Sequence, residues 1–305
     1  MPELTKASHG STMQHITRKE LSKFSEPIPD SKPEQTKIAE ILSTVDRAIE
    51  QTEALIAKQQ RIKTGLMQDL LTRGIDEHGN LRSEETHEFK DSPLGRIPVE
   101  WVVTNLEELA EAIDPQPDHR TPAEVRDGIP YIGVSDFRSD GSIDFHGARK
   151  VSVAALKKQR KSFQISEGDF VFGKIGTIGL PRRIPAAEEY ALSANVILLK
   201  PRETPSFVYW WMESPIAERM VQLELHITSQ PAFGIQKIRS FKIPKPEKGE
   251  RERIGEILDD LGNRKDADER ALSKLRFLKT SLMQDLLTGK VRVTPLVSKP
   301  QEASA

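Results

Sequence analysis

The chain has 305 residues, 36% of them hydrophobic and 30% charged, with a formal net charge of −1 and no cysteine. That length permits two domains of ordinary size, and the missing cysteine excludes disulfides and thiolate metal sites. No apolar run is long enough to cross a bilayer and the N-terminus lacks a signal-peptide core, so a cytoplasmic setting is expected.

Residues 1–33 are polar and end in Pro27-Ile28-Pro29. Residues 34–73 then read as one long helix. Its apolar positions Ile38, Leu42, Val45, Ile49, Ile56, Leu66 and Leu70 keep the four-three spacing of a helix–helix seam, and no proline interrupts them. Arg73-Gly74 is a stop signal. Residues 74–95 form a linker rich in charge and turn formers.

From 96 to 246 the pattern is mixed. Strand-like runs occur at 101–103, 130–134, 169–172 and 195–200, and helix-like runs at 105–113, 153–158 and 205–225. Short elements punctuated by Gly and Pro predict an α+β domain. Phe207, Tyr209, Trp210 and Trp211 are assigned to its core.

Residues 250–289 read as a second long helix, and it repeats the first. Glu34 returns as Glu250, an offset of 216 residues, and Leu-Met-Gln-Asp-Leu-Leu-Thr closes both copies (Leu66 to Thr72, Leu282 to Thr288). A seven-residue identity in an ungapped match marks a duplication. A weaker echo precedes each helix: Leu21-Ser22-Lys23-Phe24 with Ile28-Pro29, against Ile238-Arg239-Ser240-Phe241 with Ile243-Pro244. Residues 1–33 therefore read as the remnant tail of a first domain. Residues 290–305 have no periodicity and are expected to fray.

Roughly 175 residues lie between the helices, and one compact domain joins them most simply if they pack as an antiparallel coiled coil. The register places Thr52, Gln59 and Lys63 on one seam and Lys265, Asp268 and Lys279 on the other. Such residues either fix register and partner or stand as solvated gaps.

The densest charge lies between residues 147 and 183. Arg149, Lys150, Lys157, Lys158, Arg160, Lys161, Lys174, Arg182 and Arg183 stand against Glu167 and Asp169 only. Such a patch suits phosphate contacts, with Arg able to reach guanine edges; a solvated face is the competing reading. Gly173 to Gly179 (GKIGTIG) is not a P-loop, and reads as a backbone approach to phosphate or as a tight hairpin carrying Lys174. Thr228, Ser229 and Gln230 suit base or phosphate hydrogen bonds, or a turn and helix cap.

Catalytic signals are few. Asp76 with Glu88-Phe89-Lys90 has a nuclease-like spacing in a polar linker without a strand scaffold. The seven His residues form no helical metal pair, and neither a Walker sequence nor Gly-x-Ser-x-Gly occurs.

Several motifs carry a family likeness. A helix repeat is followed by a linker ending in Gly95-Arg96-Ile97-Pro98 with Trp101. The globular domain contains Glu167-Gly168-Asp169 followed by Gly173, Gly176 and Gly179, and Thr228-Ser229-Gln230-Pro231 before its last helix. Phe241-Lys242-Ile243-Pro244-Lys245-Pro246 then leads into the second helix. This order resembles the DNA-specificity subunit of Type I restriction-modification systems.

The resemblance implies a non-catalytic reader of double-stranded DNA whose target recognition domain reads half of a split target. Its helices would dock methyltransferase (modification) subunits and, through them, a restriction translocase. S-adenosylmethionine, Mg²⁺ and ATP would belong to those partners, with no cofactor or metal in this chain. Family members carry two recognition domains, whereas this sequence lacks most of the first and keeps one, residues 96–246. A homodimer or a complementing specificity chain would supply the other half, unless the chain is a truncated, inactive product. A coiled-coil adaptor that reads no DNA, and a small nuclease using Glu88, are the rivals from other classes.

Overall fold

A computed structural model describes residues 29–117, 120–138, 140–226 and 232–297. The chain divides into two compact units, residues 56–269, and the residues up to 55 together with those from 270 onward. Two long helices, α1 (Lys32–Thr72) and α7 (Lys248–Leu287), each contribute to both units.

The centre of the 56–269 unit is a four-stranded antiparallel sheet in the order β4 (Ala110–Ile113), β10 (Val196–Pro201), β7 (Phe170–Gly173) and β8 (Gly179–Arg183). Successive side chains on a strand point to opposite faces, and here both faces are buried. Phe170, Phe172, Ile197 and Leu199 join one apolar cluster, while the alternate residues Val171, Val196 and Leu198 join another. That double burial explains why β7 and β10 read as continuous apolar runs in the sequence.

The first face is covered by helices α4 (Pro205–Glu213), α5 (Pro215–His226) and α6 (Ile235–Arg239), with Ile254 and Leu258 of α7 and Met67, Leu70 and Leu71 of α1. The predicted aromatic core is realised there: Phe207 and Trp211 are fully buried, and Tyr209 meets Phe170 edge-on at 5.4 Å. Trp210 packs so closely on α7 that a Cβ at Gly262 would lie 2.9 Å from its ring. Trp210 Nε1 donates to Asp259 at 2.7 Å, and Ser206 and Arg183 also bond that carboxylate.

Smaller sheets complete this unit. β1 (Phe89–Ser92) and β2 (Gly95–Pro98) form a hairpin in the segment expected to be a plain linker. β3 (Val102–Asn105) pairs with β11 (Lys242–Lys245), which joins the two ends of the domain. β5 (Glu124–Ile132) lies between β6 (Lys150–Val151) and β9 (Ala191–Leu192), and α3 (Val153–Ser162) packs on these strands.

Two helix expectations are corrected. Residues 105–113 do not form one helix, because α2 (Leu106–Leu109) ends where β4 begins and pairs with β10. Residues 205–225 form two helices, because Ser214 caps α5 through the Ala217 N–H and Pro215 opens it.

Within the 56–269 unit, Glu250 at the start of α7 is 5% exposed and accepts from the Ile75 N–H, Trp101 Nε1 and the Arg82 guanidinium. A buried carboxylate is tolerable only with such partners. In the same unit Gln59 donates to Asp268 at 2.7 Å, and Lys63 reaches Glu213 at 2.8 Å while lying over the Trp210 ring.

In the other unit, the early part of α1 runs antiparallel to the late part of α7. Asp46 pairs with Lys279 at 2.6 Å and Glu53 with Arg276 at 2.7 Å, so rising numbers on one helix meet falling numbers on the other. Ile38, Leu286 and Val293 form a small core. Glu34, the repeat equivalent of Glu250, accepts from the Arg292 guanidinium, the Val293 N–H and the Thr294 hydroxyl.

Candidate nucleic-acid interface

The basic residues named from the sequence fall into three environments. The first is α3, where Ser152 caps the N-terminus by accepting from the Ala155 N–H. Leu156 faces the β6-β5-β9 sheet, and Gln159 exchanges two hydrogen bonds with the backbone of Leu192, at 2.7 and 2.8 Å. That inward pair leaves Lys157, Lys158, Arg160 and Lys161 exposed together on the remaining surface. Arg160 also meets Glu189 at 3.3 Å. A rigid helix with four exposed cations suits a run of phosphates.

The second environment is an open cleft of about 420 Å³ in the same unit. One wall is the turn between β7 and β8, carrying Ile175, Gly176 and Thr177, and another is the short helical turn Val134–Asp136. Arg149 lies at its edge, donating to the Pro122 carbonyl at 2.7 Å, and Lys150 follows on β6. Gly173 is obligatory in this hairpin, since a Cβ would meet the Thr177 carbonyl oxygen at 1.8 Å.

The cleft floor is fixed by backbone bonds. Ser193 N–H donates to the Ile132 carbonyl, and Ala194 N–H to the Tyr131 hydroxyl. Burial holds the Tyr131 phenol above its ordinary pKa, and its oxygen accepts from the Ala194 N–H.

The third environment withdraws Lys174 from the candidate DNA surface and leaves Arg183 paired, with its side chain 47% exposed. Lys174 is 6% exposed and its ammonium is held by Asp114 at 2.9 Å, so it braces the hairpin and does not reach an external phosphate. Arg183 is engaged by Asp259 and lies over the Tyr209 ring at 4.3 Å, where it ties β8 to α7. Arg182 beside it is half-buried, with its Nε unpartnered. Thr228, Ser229 and Gln230 lie outside the described residues.

Sequence reasoning missed the small polar residues of the cleft, Thr121, Ser135, Ser193 and Asn195. Thr121, Ser135 and the Ser193/Asn195 pair come from three separate loops, and only the fold brings them together.

The nuclease alternative finds little support. Asp76 accepts the backbone N–H groups of His78 and Asn80, and its pKa is lowered chiefly by the Asn80 bond, while Lys90 donates to the Val99 carbonyl. Among the described residues, no three His, Asp or Glu side chains converge to hold a metal.

A mixed-sheet domain that holds both a basic helix and an open polar cleft, joined to two repeated helices, has the build of a DNA-recognition protein. Residues 1–59 and 98–275 match the family described as Type I restriction modification DNA specificity domain, and the chain belongs to that family. The type I restriction enzyme MjaVIII specificity subunit of Methanocaldococcus jannaschii is 26% identical over 313 residues, covering 96% of this chain and 68% of that protein. The putative MjaX specificity subunit of the same organism is 24% identical over 281 residues, covering 91% of this chain and 62% of that protein.

The solved S subunit of a type I restriction-modification system from M. genitalium has the same fold. Its TM-score is 0.61 at 17% identity, over 92% of this chain and 68% of that one. The chain thus spans about two thirds of the length of these relatives.

Proposed function

We propose that the chain is a non-catalytic, cytoplasmic specificity subunit that reads one half of a bipartite double-stranded DNA target. Its helices dock methyltransferase subunits of a restriction-modification complex, and through them a restriction translocase. S-adenosylmethionine, Mg²⁺ and ATP act in those partners. The second half-site is read by another copy of this chain or by a companion specificity chain.

What supports this reading is membership of the specificity family, together with the exposed cations of α3 and an open polar cleft in the same compact unit. Phosphate-binding cations give affinity and a salt slope, while small polar groups in a rigid concave site suit base edges.

Binding of duplex DNA by the full chain, measured at several salt concentrations, tests it. Replacing Lys157, Lys158, Arg160 and Lys161 together with Ala is expected to weaken binding to all sequences alike. The magnitude of the log–log salt slope should fall by about one for each cation that no longer neutralises a phosphate. An unchanged affinity and slope in the fourfold variant moves the DNA surface off α3. Co-purification of a methyltransferase subunit with the tagged chain tests the docking.

A further inference from the structure

The cleft contains one side chain built differently from its neighbours. The backbone of Asn195 is pinned on both sides: its carbonyl accepts from the N–H groups of Lys174 at 2.7 Å and Ile175 at 3.3 Å, and its own N–H donates to Ser193 Oγ at 3.2 Å. The Lys174–Asp114 ion pair braces the same corner from inside. Yet the Asn195 side chain is exposed in the cleft, and no described residue hydrogen-bonds its amide. Beside it, Ile175 at the hairpin tip is 46% exposed.

An immobile backbone presenting a free carboxamide is suited to recognition, because little conformational freedom is lost when the amide pairs. A carboxamide offers one acceptor and one donor side by side. In the major groove that pattern matches adenine, whose N6 donates and N7 accepts, and an exposed apolar side chain matches the thymine methyl.

We infer that Asn195 is a specificity-determining residue that reads adenine in an A·T pair, with Ile175 against a thymine methyl. This rests on the DNA-reading function proposed above. It also assigns Lys174 the role of a positioning residue that holds the Asn195 corner.

The test uses the full chain and a pool of randomised duplexes, selected by wild type, Asn195→Ala and Asn195→Asp. Wild type is expected to select a sequence containing an A·T pair. Asn195→Ala should lose discrimination at one such position by about 5- to 150-fold while retaining the salt slope and the thermal midpoint. Asn195→Asp, which can only accept, should move the preference there toward cytosine, a shift that damage to the fold would not produce. If both variants select the wild-type sequence with undiminished discrimination, the assignment of Asn195 fails and the DNA reading stands. If wild type binds every duplex equally, the DNA reading fails and this inference with it.

Discussion

The heptapeptide Leu-Met-Gln-Asp-Leu-Leu-Thr occurs twice and lives in two environments. In the first copy Met67, Leu70 and Leu71 are all at most 4% exposed, within the main core that also holds Ile75 and Trp101. In the second, Leu286 alone is buried, in a small cluster with Ile38 and Val293, while Leu287 is 41% exposed. Identical residues with identical helix propensity therefore differ in burial because of what the chain does next. After the first copy it returns through β1, β2 and Trp101, and after the second it makes the short turn Thr294–Leu296. The glutamates are both buried, at 1% exposed for Glu34 and 5% for Glu250, and differ in how exposed their arginine partners are. Glu250 holds Arg82 and two buried N–H donors, whereas the Arg292 that holds Glu34 is 60% exposed.

Three experiments sharpen or break this comparison. Removing Glu250 should have the largest effect. Glu250→Ala leaves Arg82 and two N–H groups buried without their acceptor, and a loss of about 3–5 kcal/mol is expected in denaturant unfolding. Glu34→Ala should cost clearly less, because water reaches Arg292. Equal losses would mean that the two ends are equivalent.

The heptapeptides come next. Leu70→Ala should destabilise by about 2–5 kcal/mol, and Leu286→Ala by about 2 kcal/mol or less, since a small cluster relaxes around the gap. A larger loss at Leu286, measured under the same conditions, would reverse the ranking.

The smallest effect concerns pH. The Arg292 hydrogen bond, followed by its charge and the Val293 and Thr294 bonds, holds the Glu34 carboxyl below its ordinary value of 4.5. Its stabilisation is therefore complete above that value and is lost as pH falls through the lower folded pKa. Amide exchange at Val293 should accelerate relative to Ile75 as pH falls below about 4.5, after correction for intrinsic rates. Glu34→Gln should remove that pH dependence. If the difference persists in Glu34→Gln, another group is responsible.

Sequence alone was enough for the duplication, the two helices and the strand-like runs that became β7 and β10, because each is written in the local pattern. The register of Ile38, Leu42 and Val45 suits only a helix seam, and the unbroken apolar runs of β7 and β10 suit strands covered on both faces. The Arg96-Ile97-Pro98 and Phe241 to Pro246 lead-ins and the paired helices also sufficed to point to the family.

Long-range pairing decided the rest. Residues 105–113 are rich in helix formers, yet Ala110–Ile113 becomes a strand because β10 offers it an edge, and propensity is weaker than a ladder of bonds. Lys174 and Arg183 were named as cations without a visible partner. Their carboxylates, Asp114 and Asp259, stand 60 and 76 residues away, so only the folded chain could pair both cations and bury Lys174. Asn195 is the converse case. Nothing in its local sequence distinguishes it, and its candidacy exists because the tertiary structure pins its backbone and leaves its amide free.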